Sequence, residues 1–157
     1  MGLLLALLDL VFPGRQYGRP AVTKQGVAVR SRAEQRIAEY FEGIGLRYQY
    51  EKELQARCWI FTETICKPDF YLPDYDVYVE YWGMLNVAND YDRAKYAREM
   101  KYKLARYREL GVKFISLYPD NLPYLDGVFR KRFREVTGEE PPKWQTPSSN
   151  RQAEKFQ

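Results

Sequence analysis

The stretch whose reading decides the fold is Lys67–Gly83, KPDFYLPDYDVYVEYWG. It reads as two apolar-aromatic strands joined at Pro73-Asp74-Tyr75-Asp76, where Pro73 and Asp74 supply the turn chemistry. Side chains alternate faces along a strand, so Phe70, Leu72, Val77 and Val79 share the core side of this hairpin. The same parity puts Asp69 and Glu80 together on the opposite face. A two-residue turn centred on Asp74-Tyr75 would set them directly across from each other, with Cβ atoms about 4.5–5.5 Å apart, where like charges destabilise a sheet. Something positive should therefore lie between them. A divalent metal is one answer, because Mg²⁺ takes hard oxygen ligands and commonly one or two carboxylates completed by water and phosphate. Pairing with Arg or Lys on a solvated face is the other.

Outward from the hairpin, the pattern gives an ordered set of elements. SRAEQRIAEYFEGIG carries Ala33, Ile37, Tyr40, Phe41 and Ile44 at helical spacing and stops at Gly43 and Gly45. LRYQYEKEL alternates as a strand, with Leu46, Tyr48 and Tyr50 on one side. A long helix from about Asn89 to Leu110 has Ala97, Met100, Leu104 and Tyr107 as its inward stripe and Gly111 as its stop. VKFISLY is apolar at nearly every residue, the pattern of a strand covered on both faces. NLPYLDGVFRKRFREV is a last amphipathic helix, with Leu122, Leu125, Phe129 and Phe133 inward. The order α-β-β-β-α-β-α, a meander and then a helical crossover, predicts an α/β fold: a central mixed sheet with helices on both sides.

Composition sets further limits. The chain has 157 residues, enough for one domain with a real core, and 25 Lys and Arg against 21 Asp and Glu give a formal charge of +4. A polyanionic partner is allowed by that balance without being required. The complete absence of His excludes Ser-His-Asp triads, Cys-His pairs and His-ligated zinc or haem. Acid-base chemistry must then use carboxylate, Lys, Tyr or water. Cys58 and Cys66 flank WIFTETI, which could fold back as a hairpin, and the residues leave both a disulfide and two reduced thiols open. MGLLLALLDLVF is far short of the roughly 20 apolar residues of a membrane span and lacks the basic flank of a secretion signal. It is expected to cover the domain or to form a homodimer contact, and the protein to be intracellular (cytoplasmic). PGRQYGRP reads as a linker, which closes an N-terminal segment at residue 28. The folded unit is expected over 29–137, and the polar, Pro-rich residues 138–157 as a loose tail.

The residues also carry a resemblance. Pro68-Asp69, then Glu80 on the next strand, after a helix carrying Glu34, resembles the PD-(D/E)XK nuclease superfamily. SRAEQRIAEYFEGIGLRYQYEKEL, KPDFYLPDYDVYVEYWG and EMKYKLARYRELGVKFISLY together look like the nuclease-like domain found with superfamily 1 DNA helicases. The resemblance covers roughly Val29 to Leu125. It implies a restriction-endonuclease-like α-β-β-β-α-β core and a Mg²⁺ or Mn²⁺ cofactor held by Asp69, Glu80 and the backbone carbonyl of Tyr81. It also implies in-line phosphodiester hydrolysis leaving a 5′-phosphate, with DNA as substrate and a helicase or repair protein as partner.

One departure matters. The plain motif has a lysine two residues after the acid, where this chain has Trp82. In the resembled branch the lysine moves to the following helix and corresponds to Lys103. Helical periodicity puts Lys101 and Lys103 equally far to either side of the apolar stripe, roughly 80° at 100° per residue. It sends Lys95 to the solvated face. Periodicity thus keeps two lysines, and only the resemblance chooses Lys103. Glu34 has two readings. Ser31-Arg32-Ala33-Glu34 is a capping box, in which Glu34 bonds back to the N-cap amide, and the resemblance makes Glu34 an acid that reaches the metal. Glu51 and Glu53 read as surface charges. Arg130-Lys131-Arg132 with Arg134 could bind a phosphate backbone or form a solvated helix face. Tyr71, Tyr78 and Trp82 share the carboxylates' face, to stack on bases or to pack beneath a helix. The rivals to a nuclease are a non-catalytic nucleic-acid-binding module and an assembly protein using the apolar N-terminus.

Overall fold

A computed structural model describes residues 20–58, 61–84 and 89–144. Two short strands, β1 (Ala21–Val22) and β2 (Ala28–Val29), pair antiparallel ahead of helix α1 (Arg32–Gly43). Strand β3 (Gln49–Tyr50) follows, then an antiparallel hairpin of β4 (Leu54–Cys58) and β5 (Phe61–Cys66). Strands β6 (Phe70–Leu72) and β7 (Val77–Tyr81) come from the opening stretch. Helix α2 (Asp90–Glu109), strand β8 (Lys113–Leu117), a 3-10 helix (Pro119–Tyr124) and helix α3 (Leu125–Thr137) complete the order. The fold is mixed α/β. Its main sheet has the order β3-β6-β7-β8, antiparallel except for the parallel β7–β8 pair.

The two faces of this sheet are covered differently. Phe70, Leu72, Val77 and Val79 meet Ile37, Phe41 and Ile44 of α1 and Phe129 and Phe133 of α3 in the larger core. The opposite face carries Tyr71 and Tyr78, which pack with Leu54 and with Tyr107 of α2. Parity alone accounts for that division, because successive residues of β6 and β7 must point to opposite sides.

Local chemistry explains the boundaries. Asn89 caps α2 by accepting the Tyr91 N–H at 2.9 Å, and Gly111 leaves it with φ +62°, a conformation that glycine adopts without a Cβ penalty. Pro123 falls inside the 3-10 helix, so the last helix begins at Leu125 rather than at Asn121. Among the described residues, β8 stands at the edge of the sheet and pairs with β7. Its faces are nonetheless both covered, Ile115 and Leu117 by the larger core and Phe114 by Tyr107 at 5.2 Å between ring centroids.

The structured chain runs past both expected limits. β1 and β2 precede position 29 in part, and the first residues after α3 are seated on the domain. Arg130 donates to the Pro142 carbonyl at 2.9 Å, and Trp144 packs edge-on against Tyr40 at 5.8 Å. The expectations for the apolar N-terminus and for residues after 144 lie outside the described residues. Among the described residues, no helix is long and apolar enough to cross a membrane.

Candidate metal and phosphate site

The register of β6 and β7 pairs Phe70 with Val79, Tyr71 with Tyr78 and Leu72 with Val77. Continued by one residue, it sets Asp69 opposite Glu80, the pairing that a turn centred on Asp74-Tyr75 would give. The connection differs from a two-residue turn. Tyr75 N–H bonds to the Leu72 carbonyl at 3.2 Å and Asp76 takes φ +52°, so Pro73–Asp76 form a four-residue loop with the same centre. Equal lengths added on either side leave the pairing unchanged.

Both carboxylates are buried, Asp69 at 7% and Glu80 at 4% exposure, and Glu34 at 8% comes to the same neighbourhood from α1. Burial, then the charge of Glu80 and then that of Glu34, push the Asp69 carboxyl well above its ordinary value near 3.8. The Tyr81 N–H, which donates to Asp69 Oδ2 at 2.7 Å, and the Arg30 guanidinium pull the other way. Arg30 Nη2 lies 3.2 Å from Asp69 Oδ1. Glu80 Oε1 pairs with Lys103 Nζ, and Glu80 Oε2 accepts the Tyr107 hydroxyl at 3.3 Å. Burial first, and the charge of Glu80 next, push the Tyr107 phenol up, so it stays a neutral donor.

Lys103 is thus brought to Glu80, while Lys101 and Lys95 are both exposed on α2. Trp82, which stands where the plain motif has its lysine, is buried, and Lys103 Nζ lies 5.6 Å from the centre of its ring. The amine therefore arrives next to the position that the motif lysine would occupy.

Several readings change. Glu34 makes only half of the capping box. Ser31 Oγ accepts the Glu34 N–H at 3.1 Å, but the returning bond from Glu34 Oε2 takes the Arg30 N–H at 3.1 Å rather than that of Ser31. Glu34 also accepts from the Ser31 and Tyr50 hydroxyls. Tyr71, Tyr78 and Trp82 do not stand free for bases. The two tyrosines lie in the second core, Lys52 Nζ sits 3.5 Å above the Tyr71 ring, and Trp82 meets Tyr96 of α2. The basic run of α3 is largely committed inside the molecule. Arg130 binds Asp126 at 2.8 Å, Arg132 binds the Ser116 carbonyl and Asn121, and Arg134 pairs with Glu140 at 2.9 Å. Cys58 stands opposite Phe61 and Cys66 opposite Leu54, at the two ends of the β4–β5 hairpin, and Cys66 is a free thiol that donates to Tyr107.

Three participants escape a reading of the sequence. Arg30 lies one residue before the N-cap, where nothing in spacing marks it. Tyr50 and Tyr107 belong by spacing to apolar stripes, yet their hydroxyls reach Glu34 and Glu80. Glu51, expected as a surface charge, pairs with Arg30 Nε at 2.7 Å.

The donors suit a hard divalent cation, since Asp69 and Glu80 offer only oxygen from one buried face. Among the described residues no three His, Cys, Asp or Glu side chains form a cage for a metal. A cation here would complete its shell with water and substrate oxygens, the usual Mg²⁺ habit. A cleft of about 570 Å³ lies away from these acids, between α1 and the 3-10 helix, with Arg36, Tyr40 and Leu122 in its lining. A shallower depression of about 390 Å³ adjoins the site and is lined by Cys66, Arg98, Tyr102 and Lys103. Comparison of the chain with family models, with curated proteins and with solved structures gave no match to any of them.

Proposed function

We propose that this chain is a metal-dependent nuclease with a restriction-endonuclease-like core, hydrolysing phosphodiester bonds in DNA. One observation carries the reading: the buried pair Asp69 and Glu80 faces a lysine, Lys103, delivered from the next helix to the oxygen of Glu80. Two acids and a lysine on one face match the donor set that phosphodiester hydrolysis needs, in a chain with no His.

Asp69 and Glu80, with the backbone carbonyl of Tyr81, would hold Mg²⁺ or Mn²⁺. Such a cation binds a phosphate oxygen and lowers the pKa of an attacking water. Lys103 orients that water through its amine and offsets the negative charge that builds on the phosphate. Glu80 fixes the lysine, and Tyr107 fixes Glu80 from the other side. The Tyr81 N–H holds Asp69 Oδ2, so a cation would be bound through Oδ1, which Arg30 contacts at 3.2 Å. The water oxygen would form a bond to phosphorus as the bond to O3′ breaks, the water losing a proton to solvent and O3′ taking one from solvent, which leaves a 5′-phosphate and a 3′-hydroxyl.

The alternative, a nucleic-acid-binding module without catalysis, is favoured by the two cations already pairing with the acids, Arg30 and Lys103. Incubation with single-stranded, duplex and branched DNA in Mg²⁺, Mn²⁺ or EDTA separates the two. Cleavage in metal alone, lost in Asp69→Ala and in Glu80→Ala with folding intact, is the expected result. Wild-type cleavage by either variant rejects the site.

A further inference from the structure

Arg30 is held unusually well for a residue in a connecting segment. Its backbone N–H donates to both Glu34 Oε2 at 3.1 Å and the Tyr50 hydroxyl at 3.0 Å. Its side chain spans two acids, with Nε 2.7 Å from Glu51 Oε1 and Nη2 3.2 Å from Asp69 Oδ1. Glu51 takes a left-handed backbone, φ +52°, and its N–H bonds to the Asp69 carbonyl at 2.9 Å. That turn brings the anchoring acid beside the site acid. The Arg30 side chain remains 37% exposed, so the residue that spans the two acids is still within reach of solvent.

The two oxygens of Asp69 are not equivalent. Oδ2 is occupied by the Tyr81 N–H, and Oδ1 is the oxygen that Arg30 holds. A cation binding Asp69 through its available oxygen therefore takes the acceptor that Arg30 Nη2 uses. The guanidinium would not leave, because Nε stays 2.7 Å from the charge of Glu51 Oε1 and donates to the Tyr50 hydroxyl at 3.4 Å. Its planar fork of donors fits phosphate as well as carboxylate, and its freed edge would stand beside the cation where a substrate phosphate arrives.

We propose that Arg30 holds Asp69 in the metal-free protein and becomes a clamp for the substrate phosphate once a divalent cation takes Asp69 Oδ1. This rests on the nuclease reading above and adds a positioning residue to it. The arrangement gives one substitution two effects of opposite sign. Removing a competitor should tighten the metal, and removing a phosphate contact should weaken nucleic acid.

The test uses the full chain and two separate measurements. Mn²⁺ affinity is measured by calorimetry without nucleic acid, and single-stranded DNA affinity is measured in Ca²⁺ across a salt series. Arg30→Gln is expected to bind Mn²⁺ about tenfold more tightly, the scale of losing one neighbouring positive charge. It should bind DNA more weakly, with the salt slope reduced by about one. Arg30→Lys should recover most of the DNA affinity, because it restores a phosphate-binding charge. Lys67→Gln removes an equal charge from a surface pair with Glu53 and should change neither. If Arg30→Gln weakens both ligands, or leaves either unchanged, the clamp is refuted while the nuclease reading stands. If no protein in the series binds Mn²⁺, both fall. Should Arg30→Gln fail to fold, Arg30→Met takes its place in the same two measurements: tighter Mn²⁺ with weaker DNA binding supports the exchange, and unchanged Mn²⁺ affinity rejects it.

Discussion

Lys103 and Lys101 flank the same apolar stripe at equal angles, yet only one of them reaches an acid. Lys103 pairs with Glu80 at the edge of Trp82, while Lys101 is exposed. Lys103→Ala is expected to lower the cleavage rate at least about 100-fold, the scale of losing one charge-stabilising donor, with DNA affinity in Ca²⁺ little changed. Lys101→Ala should stay within about twofold of wild type, in line with loss of one exposed charge. Single-turnover kinetics on the two variants check this, and reversal of the pattern would reject the assigned lysine. Glu34 presents a different balance. Its carboxylate serves the Arg30 N–H and two hydroxyls, so Glu34→Gln should cost about 1 kcal/mol through mismatched hydrogen bonds, with cleavage reduced less than tenfold. Urea unfolding and a rate measurement on the same sample separate the roles. An unchanged midpoint with cleavage abolished would make Glu34 a metal-site acid instead.

At the scale of elements, the segment after α3 is polar and rich in proline, a composition that predicts a loose tail. Its first part is docked, and the reason lies on α1. The Trp144 ring lies over Gly43, where an added Cβ would come within 2.0 Å of it. Glycine in a helix costs roughly 0.5–1 kcal/mol relative to alanine, and here the missing side chain makes room for an aromatic ring. Trp144 also contacts Tyr40 edge-on and remains 57% exposed. Trp144→Ala should therefore destabilise by only about 1 kcal/mol. Gly43→Ala should be near neutral in the wild type, since the gain in helix propensity is offset by displacing the ring. In the Trp144→Ala background the same change should stabilise by about 1 kcal/mol. A double-mutant cycle by urea denaturation measures the coupling, and additivity of the two changes would mean that the ring does not rest on Gly43 in solution.

For the molecule as a whole, the buried carboxyl of Asp69 makes stability depend on pH. The native Asp69 carboxyl has its value raised above the ordinary 3.8 by burial and by Glu80 and Glu34. Between that ordinary value and the raised one, the native state therefore binds more protons than the unfolded chain. Stability from this group is fully present below the window and declines as pH rises through it. In EDTA, Asp69→Asn should flatten that decline and raise the melting temperature at pH 7 by roughly 3 °C, the equivalent of about 1 kcal/mol for a chain of this size. Thermal unfolding of both proteins from pH 4 to pH 7 reads the difference. An equal slope in the two proteins would mean that Asp69 does not carry the dependence.

Sequence by itself determined that Asp69 and Glu80 share one face, because strand parity leaves no freedom there, while the loop at Pro73–Asp76 settled that they stand directly opposite. Sequence also determined the ends of α2 and the two covered faces of the sheet for the same local reason: periodicity and capping act within a few residues. It left Lys101 and Lys103 tied, because a helix pattern defines the angle to its own stripe and not which flank faces a neighbouring strand. Only the packing of α2 across β7 resolved that choice. Tertiary structure also decided the fate of the exposed-looking groups. Trp82, Tyr71 and Tyr78 became core, and Arg130 and Arg132 of α3 bonded to carbonyls of the fold, while Arg134 stayed exposed beside Glu140. Glu51 and Tyr50, about 20 positions further along the chain, both met Arg30 beside Asp69. Their meeting depends on the docking of α1 against β3 and β6, a long-range contact that no local pattern encodes.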